Sequence, residues 1–191
     1  MRVSLFALAA AAALTTGLAQ AQAVNYAIEP THTFATFEIG HLGVSTNRGR
    51  FDKKSGSVTI DRAAKTGKVD ISIDVASVNT GTAAFDKHLR SADIFDTDKF
   101  PTATFSGDKF TFDGDKVTAV DGTLTLMGKS APVTLKAKNF HCTMHPMLKR
   151  EVCGGDFETA FDRTVFGVNY GVQYGFPKDV RVVIQVEAIK Q

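Results

Sequence analysis

Two short stretches concentrate the side chains that could do chemistry. "HCTMHPM", residues 141–147, carries His141, Cys142, Met144, His145 and Met147. Imidazole, thiolate and thioether are soft donors of the kind that select copper. "FDKHLRSADIF", residues 85–95, carries Asp86, Lys87, His88, Arg90 and Asp93. A carboxylate close to an imidazole is part of the equipment of an acid–base site.

Both readings meet a physical objection. The chain has two cysteines, Cys142 and Cys153, and outside the cytoplasm such a pair is expected to bridge. Closing a loop of about 12 residues is worth about 3 kcal/mol in the chain-entropy model. A bridged Cys142 has no thiolate to give, which leaves two His and two Met with no enforced geometry. The disulfide Cys142–Cys153 is therefore predicted and no metal site is assigned. A periplasmic copper-binding role for the 141–147 loop stays as the alternative function. In the second stretch no Ser or Cys nucleophile accompanies Asp86 and His88. Nor does the chain contain G-x-S-x-G, H-E-x-x-H, C-x-x-C or a Gly-rich phosphate loop. No catalytic residue is assigned, and the protein is not expected to be an enzyme.

Helical spacing gives the charges of 85–95 another purpose. Phe85, His88, Leu89 and Ala92 fall at i, i+3, i+4 and i+7 and share one face. Asp86 and Arg90 are i, i+4 partners on the other side, and Thr82 offers an N-cap. A short amphipathic helix of two or three turns is predicted, inserted between strands. A second, shorter helical turn is predicted at "GHLGVS", residues 40–45.

Nearly everything else has period two. Val69, Ile71, Ile73 and Val75 alternate with Asp70, Ser72 and Asp74. Val180, Val182, Ile184 and Val186 alternate with Arg181, Gln185 and Glu187 on the opposite side. Leu124 and Leu126, then Val133, Leu135 and Ala137, then Phe157 and Phe161 repeat the pattern. Each is a half-buried strand. Turn residues such as "AKTGK", "DGDK" and "MGKSAP" separate them. About eight sequential strands with short connections pair antiparallel. A sheet with one apolar face must pack or close on itself, and strands of this length favour a barrel or a strongly curved sheet.

The ends and the charge bound the setting. Met1-Arg2, an apolar run to Leu18 and "AQAQA" have the layout of a secretory signal peptide, cleaved after Ala21 or Ala23. Residues 1–23 are assigned to it and 24–191 to one domain, expected in the periplasm without stable membrane insertion. With 22 Lys and Arg against 20 Asp and Glu, no basic block exists to bind nucleic acid. The chain has 15 Phe and no Trp. An eight-stranded barrel is just wide enough to be filled by side chains or to hold one small ligand. Eight-residue strands would make a tube on the order of 20 Å long. Ten methylenes buried there, at about 0.8 kcal/mol each, would give micromolar-class binding before costs. The pattern alone does not distinguish a filled barrel from a hollow one.

Several segments, in order, resemble one family. "THTFATFEIGHLGVS" carries His32, Phe37, His41, Leu42 and Gly43. "GRFDKKSGSVTID" resembles a G-x-F hairpin. "DKHLRSADIFD" with "KFPTATF" carries Asp86, His88, Leu89, Arg90, Ser91, Asp93, Phe95, Pro101 and Phe105. "VDGTLTLMGKSAPVTL" and "FDRTVFGV", with Arg163, Phe166 and Gly167, complete the set. The sequence resembles the YceI-like family of lipocalin-like, exported polyisoprenoid-binding proteins. The resemblance implies an all-β fold, an eight-stranded antiparallel barrel with one or two short helices. It implies a non-covalently held polyprenyl or quinone-like lipid, no other cofactor, no catalysis and often a homodimer. A membrane redox partner is left open. The lipid chain is expected along Phe37, Phe51, Leu89, Phe95, Phe105, Leu126 and Phe166. The polar head is expected near His32, His41, His88, Arg90 or Arg163. Three of these polar residues have a structural alternative: Arg90 to pair with Asp86, His88 to bond a backbone carbonyl, His41 to cap a turn.

Overall fold

The computed structural model describes residues 22–191. Positions 1–21 of the expected leader lie outside the described residues. The strands are β1 (Val24–Ile28), β2 (Phe34–His41), β3 (Ser45–Phe51), β4 (Lys54–Asp61), β5 (Thr66–Asp74), β6 (Val78–Asn79), β7 (Thr102–Asp113), β8 (Lys116–Leu126), β9 (Lys129–Ala137), β10 (His141–Met144), β11 (Glu151–Asp162) and β12 (Asp179–Lys190). One α-helix, α1 (Ala83–Arg90), lies between β6 and β7.

Twelve pieces make eight staves. β1 and β2 both pair with β12, through Ile28↔Ala188 and Phe34↔Gln185, so they are two halves of one bent strand. β3 and β4 are bent at residues 52–53, and β5 leads through a 3-10 turn into β6. The order β11-β9-β8-β7-β5-β4-β1-β12 closes through a ladder between β11 and β12, giving an eight-stranded antiparallel barrel. The short β10 is an extra hairpin arm on β11.

The alternation sets the faces as read. Ile71, Ile73, Leu124, Leu126, Val133, Leu135, Val180, Val182, Ile184 and Val186 point into the lumen. On the outside, Arg181 bridges Glu38 at 2.6 Å and Glu158 at 2.7 Å, tying β2, β12 and β11 together. Exposed pairs of this kind contribute little each and mainly fix register.

The helical turn expected at 40–45 is not there. Leu42 and Gly43 take φ of 52° and 72°, while a right-handed helix needs negative φ. The segment is a tight β2–β3 hairpin, closed by Val44 N donating to the His41 carbonyl at 2.9 Å. The same device recurs at Met127 and Gly128, φ 49° and 70°, between β8 and β9. The helix at 83–90 forms as expected, two turns long; Thr82 takes the N-cap position, but its hydroxyl makes no capping hydrogen bond. Its charges are used differently. Asp86 accepts from Thr80 N and Thr80 Oγ1, both at 2.7 Å, and Arg90 reaches the Val78 carbonyl at 3.5 Å. The pair predicted between them does not form, because each anchors the helix to the strand before it. Ala92 lies past the last turn and is exposed; Ile94 takes the buried place.

The lower end of the barrel, where β1 begins and β12 finishes, is filled. Tyr26, Ile60, Val117, Val120, Cys153, Phe157 and Ala188 form its buried core, with Phe110, Phe112 and Phe140 against it. Cys142 and Cys153 face each other across β10 and β11 and are bridged, Cα to Cα 4.1 Å. Tyr26 donates its hydroxyl to Glu151, which also receives Arg62 at 2.9 Å. Burial and the Glu151 carboxylate push the Tyr26 phenol up to about 12.

Candidate functional site: an apolar cavity under a helical cap

The upper half of the barrel is hollow. It encloses a cavity of about 480 Å³ with an almost wholly apolar lining, within the range of small-molecule sites. Ile71, Phe105, Leu124, Val133, Leu135 and Val186 form its deep wall. Phe85, His88 and Leu89 of α1, with Val168, Tyr170 and Phe176 of the β11–β12 loop, roof it.

Glycines help to keep the lumen open. A Cβ on Gly49 would lie 2.5 Å from the Phe37 ring, and one on Gly122 would lie 2.5 Å from the Phe105 ring. Each ring is pressed against bare backbone of the neighbouring strand. Phenylalanines that would otherwise cross the axis lie along the wall, an arrangement open only where the neighbour lacks a side chain.

Of the residues expected at the site, Phe37, Phe51, Phe95, Phe105, Leu89, Leu126, His41, His88 and Arg163 line the cavity. Three do not. Phe166 is 1% exposed but lies behind the lining, edge-on to Phe161 with centroids 5.3 Å apart. Arg90 is held to the Val78 carbonyl. His32 sits outside, its side chain 64% exposed, 2.7 Å from Glu29. The reading missed Ile28, Phe34, Lys54, Ile94 and Tyr170. Lys54 and Phe34 left no signal, because the strand bends beside them were not visible.

The polar lining residues have distinct duties. Arg163 is buried and donates to the carbonyls of Pro177 at 3.0 Å, Val168 at 2.8 Å and Tyr170 at 2.9 Å. Burial pushes its guanidinium down from the ordinary value, and Asp162 opposes this. It stitches the β11–β12 loop over the mouth. His88 stands edge-on to Tyr170, centroids 4.7 Å apart, with its Nε2 3.7 Å from Asp93. His41 meets Phe176 in the same way at 5.1 Å. Leu42, Val44, Val165 and Tyr174, on the two loops beside this mouth, are exposed.

The 141–147 loop offers little to a metal. Cys142 is bridged, and His145 Nδ1 accepts from the backbone N–H of Met147 at 3.3 Å and Leu148 at 3.1 Å. Among the described residues, the cluster of possible ligands is Glu29, His32 and Glu187, at the β1–β2 bend. There burial would raise Glu29, but hydrogen bonds from Thr31 and His32 outweigh it and hold the carboxyl at about 2. That carboxylate already serves its own turn. No described helix is long and apolar enough to cross a membrane.

Barrel and cavity together define a binding protein whose interior accepts an apolar body. The chain belongs to the YceI-like family: the YceI-like domain matches residues 26–188. It is 36% identical over 199 residues to a UPF0312 protein of Pseudomonas paraeruginosa, covering 100% of both chains. Among solved structures it is similar to the Campylobacter jejuni YceI protein, at 26% identity and TM-score 0.66, over 80% of this chain and 90% of that one. It also shares its fold with a polyisoprenoid-binding domain of Saccharophagus degradans, at 17% identity and TM-score 0.60, over 88% and 99% of the two chains. The family is a binding-type barrel rather than a known enzyme family.

Proposed function

We propose that this protein is exported to the periplasm and holds a long-chain isoprenoid-like amphiphile, of polyprenyl or quinone type, in its barrel. The role is transport, storage or protection of that lipid, without catalysis. The observation that carries the reading is the cavity of about 480 Å³ walled by Leu, Ile, Val and Phe. An apolar void forfeits the dispersion contacts of its lining, and a folded chain normally closes such space. Here the glycine-seated Phe rings help hold it open, so an apolar occupant is the natural complement. The Saccharophagus domain's polyisoprenoid binding is in keeping with this class of ligand.

Native mass spectrometry of protein purified from its own host, with organic extraction of the same sample, tests the proposal. A non-covalent adduct that extracts as a long-chain lipid is the expected result. If no such lipid is recovered, and added isoprenoids of C15 and longer do not bind, the proposal is wrong.

A further inference from the structure

The barrel wall has a gap that the alternation does not reveal. Between β1 and β4 the register runs out at Ala27↔Ser57. It resumes between β2 and β3 only at Ala35↔Phe51. Residues 28–34 and 52–56 face each other across this interval without a register pair. Each side is tied away from the gap. Glu29 N donates to the Glu187 carbonyl of β12 at 2.9 Å, Asp52 N to the Ser77 carbonyl at 3.1 Å, and Asp74 N to the Lys53 carbonyl at 3.0 Å. The wall here is made of side chains, and Ile28, Thr33, Phe34 and Lys54 from the gap line the cavity.

Lys54 is the anomaly. It pairs with Ile73, an inward residue, so the ladder puts its side chain on a face where every other consideration calls for an apolar group. Its ammonium lies 4.0 Å from the centroid of the Phe34 ring, and the Arg50 guanidinium lies 4.4 Å from the same ring. Its hydrogen bond is to the Asp52 carbonyl, at 3.2 Å. The carboxylate of Asp52 is spent on Arg50 at 2.8 Å and Asn79 at 2.8 Å. That of Glu29 is spent on Thr31 and His32. An ammonium has three donors, and among the described residues Lys54 uses one of them, so donors remain at the edge of an apolar chamber. Burial pushes it below its ordinary pKa, with Asp52 opposing. Arg163, the other cation of the lining, has all three guanidinium nitrogens committed to carbonyls of its own loop.

We infer that this gap is a lateral portal of the cavity, with Phe34 as its door. Lys54, assisted by Arg50, receives there the oxyanion head of an amphiphile whose chain lies in the barrel. The inference rests on the proposed lipid-binding function and adds to it a site and a head-group class, phosphate or carboxylate.

The test compares three probes of one chain length, farnesol, farnesoic acid and farnesyl monophosphate, by calorimetry at low salt. The unaltered protein is expected to bind the two anions at least about tenfold tighter than the alcohol. Lys54→Met should weaken the anions about tenfold more than it weakens farnesol. Loss confined to the phosphate supports a phosphate head, and loss for both anions supports oxyanions in general. If farnesol binds but Lys54→Met weakens all three alike, or none, the portal site is wrong. If farnesol itself fails to bind the unaltered protein, the cavity reading fails instead. Phe34→Ala should speed farnesol entry and exit together, and unchanged rates in stopped flow would contradict the door.

Discussion

The two halves of the barrel are built from the same staves, with register shifts in the β7–β8 ladder between Gly107 and Lys109 and between Thr111 and Phe112, yet one is packed solid and the other is hollow. Below, Phe157, Val117, Val120 and Tyr26 meet across the axis, backed by Phe110, Phe112 and Phe140. Above, the lining is no less apolar and is richer in Phe, but its rings lie in the wall and roof around the cavity; a ring seated on a glycine occurs in both halves, Phe37 and Phe105 on Gly49 and Gly122 above and Phe110 on Gly67 below. The difference is geometric, not compositional. In a barrel of this size a few aromatic rings decide whether the interior closes. The closed half can carry stability while the open half carries function.

That division is open to direct attack. The largest effect is expected from Phe157→Ala, which removes a ring from the packed floor. It should cost about 3–5 kcal/mol in urea unfolding of the ligand-free protein, against about 1–2 kcal/mol for Leu124→Ala, whose side chain already faces a void. Equal losses would erase the distinction. Next comes the bridge at the floor. Replacing Cys142 and Cys153 by Ser should cost about 3 kcal/mol and leave farnesol affinity within about twofold. A loss of affinity with little loss of stability would place the bridge in the binding half after all.

Arg163→Met tests the roof. Three carbonyls lose a charged donor, for about 1–3 kcal/mol, and the loop over the mouth loosens. Arg163→Lys should not rescue it, because one ammonium cannot span the three carbonyls that the guanidinium fork reaches. Full rescue by Lys, in melting temperature, would mean that charge rather than geometry is at work.

The smallest effects concern pH. Glu29, at the β1–β2 bend, has its carboxyl held at about 2 against an ordinary 4.5. A depressed folded value contributes stability above the ordinary value and loses it as pH falls through about 2. Tyr26, in the floor, is raised to about 12 from 10.0, so its contribution is present below 10 and is lost as pH rises toward 12. Glu29→Gln should flatten only the acid limb of the melting curve and Tyr26→Phe only the alkaline limb, each by a few degrees. Crossed effects would contradict the assignments.

Much of this was legible in the residues. Val180, Val182, Ile184 and Val186 announce their inward face by alternation alone, and the 3.6-residue spacing of Phe85, His88 and Leu89 announces the cap. What was not legible depends on pairing between distant segments. Whether Phe37 fills the lumen turns on Gly49 being its partner. Lys54 reads as a surface lysine until the register sets it opposite Ile73. The turn at 40–45 failed as a helix because Leu42 and Gly43 take positive φ, which side-chain spacing does not encode. Asp86 and Arg90 have the right spacing to pair, but Asp86 is taken up by Thr80 at 2.7 Å and Arg90 is turned toward the Val78 carbonyl.

The central claim is that the upper half is a seat for an apolar chain. The most direct measurement is farnesol binding to Ile184→Trp, which puts an indole into the cavity from its wall, with thermal stability followed on the same sample. Affinity should fall by roughly a hundredfold while the melting temperature holds or rises, since the added ring occupies space that has no partner atoms. Binding as strong as in the unaltered protein, or a melting temperature collapsed by overpacking, would contradict a hollow upper barrel.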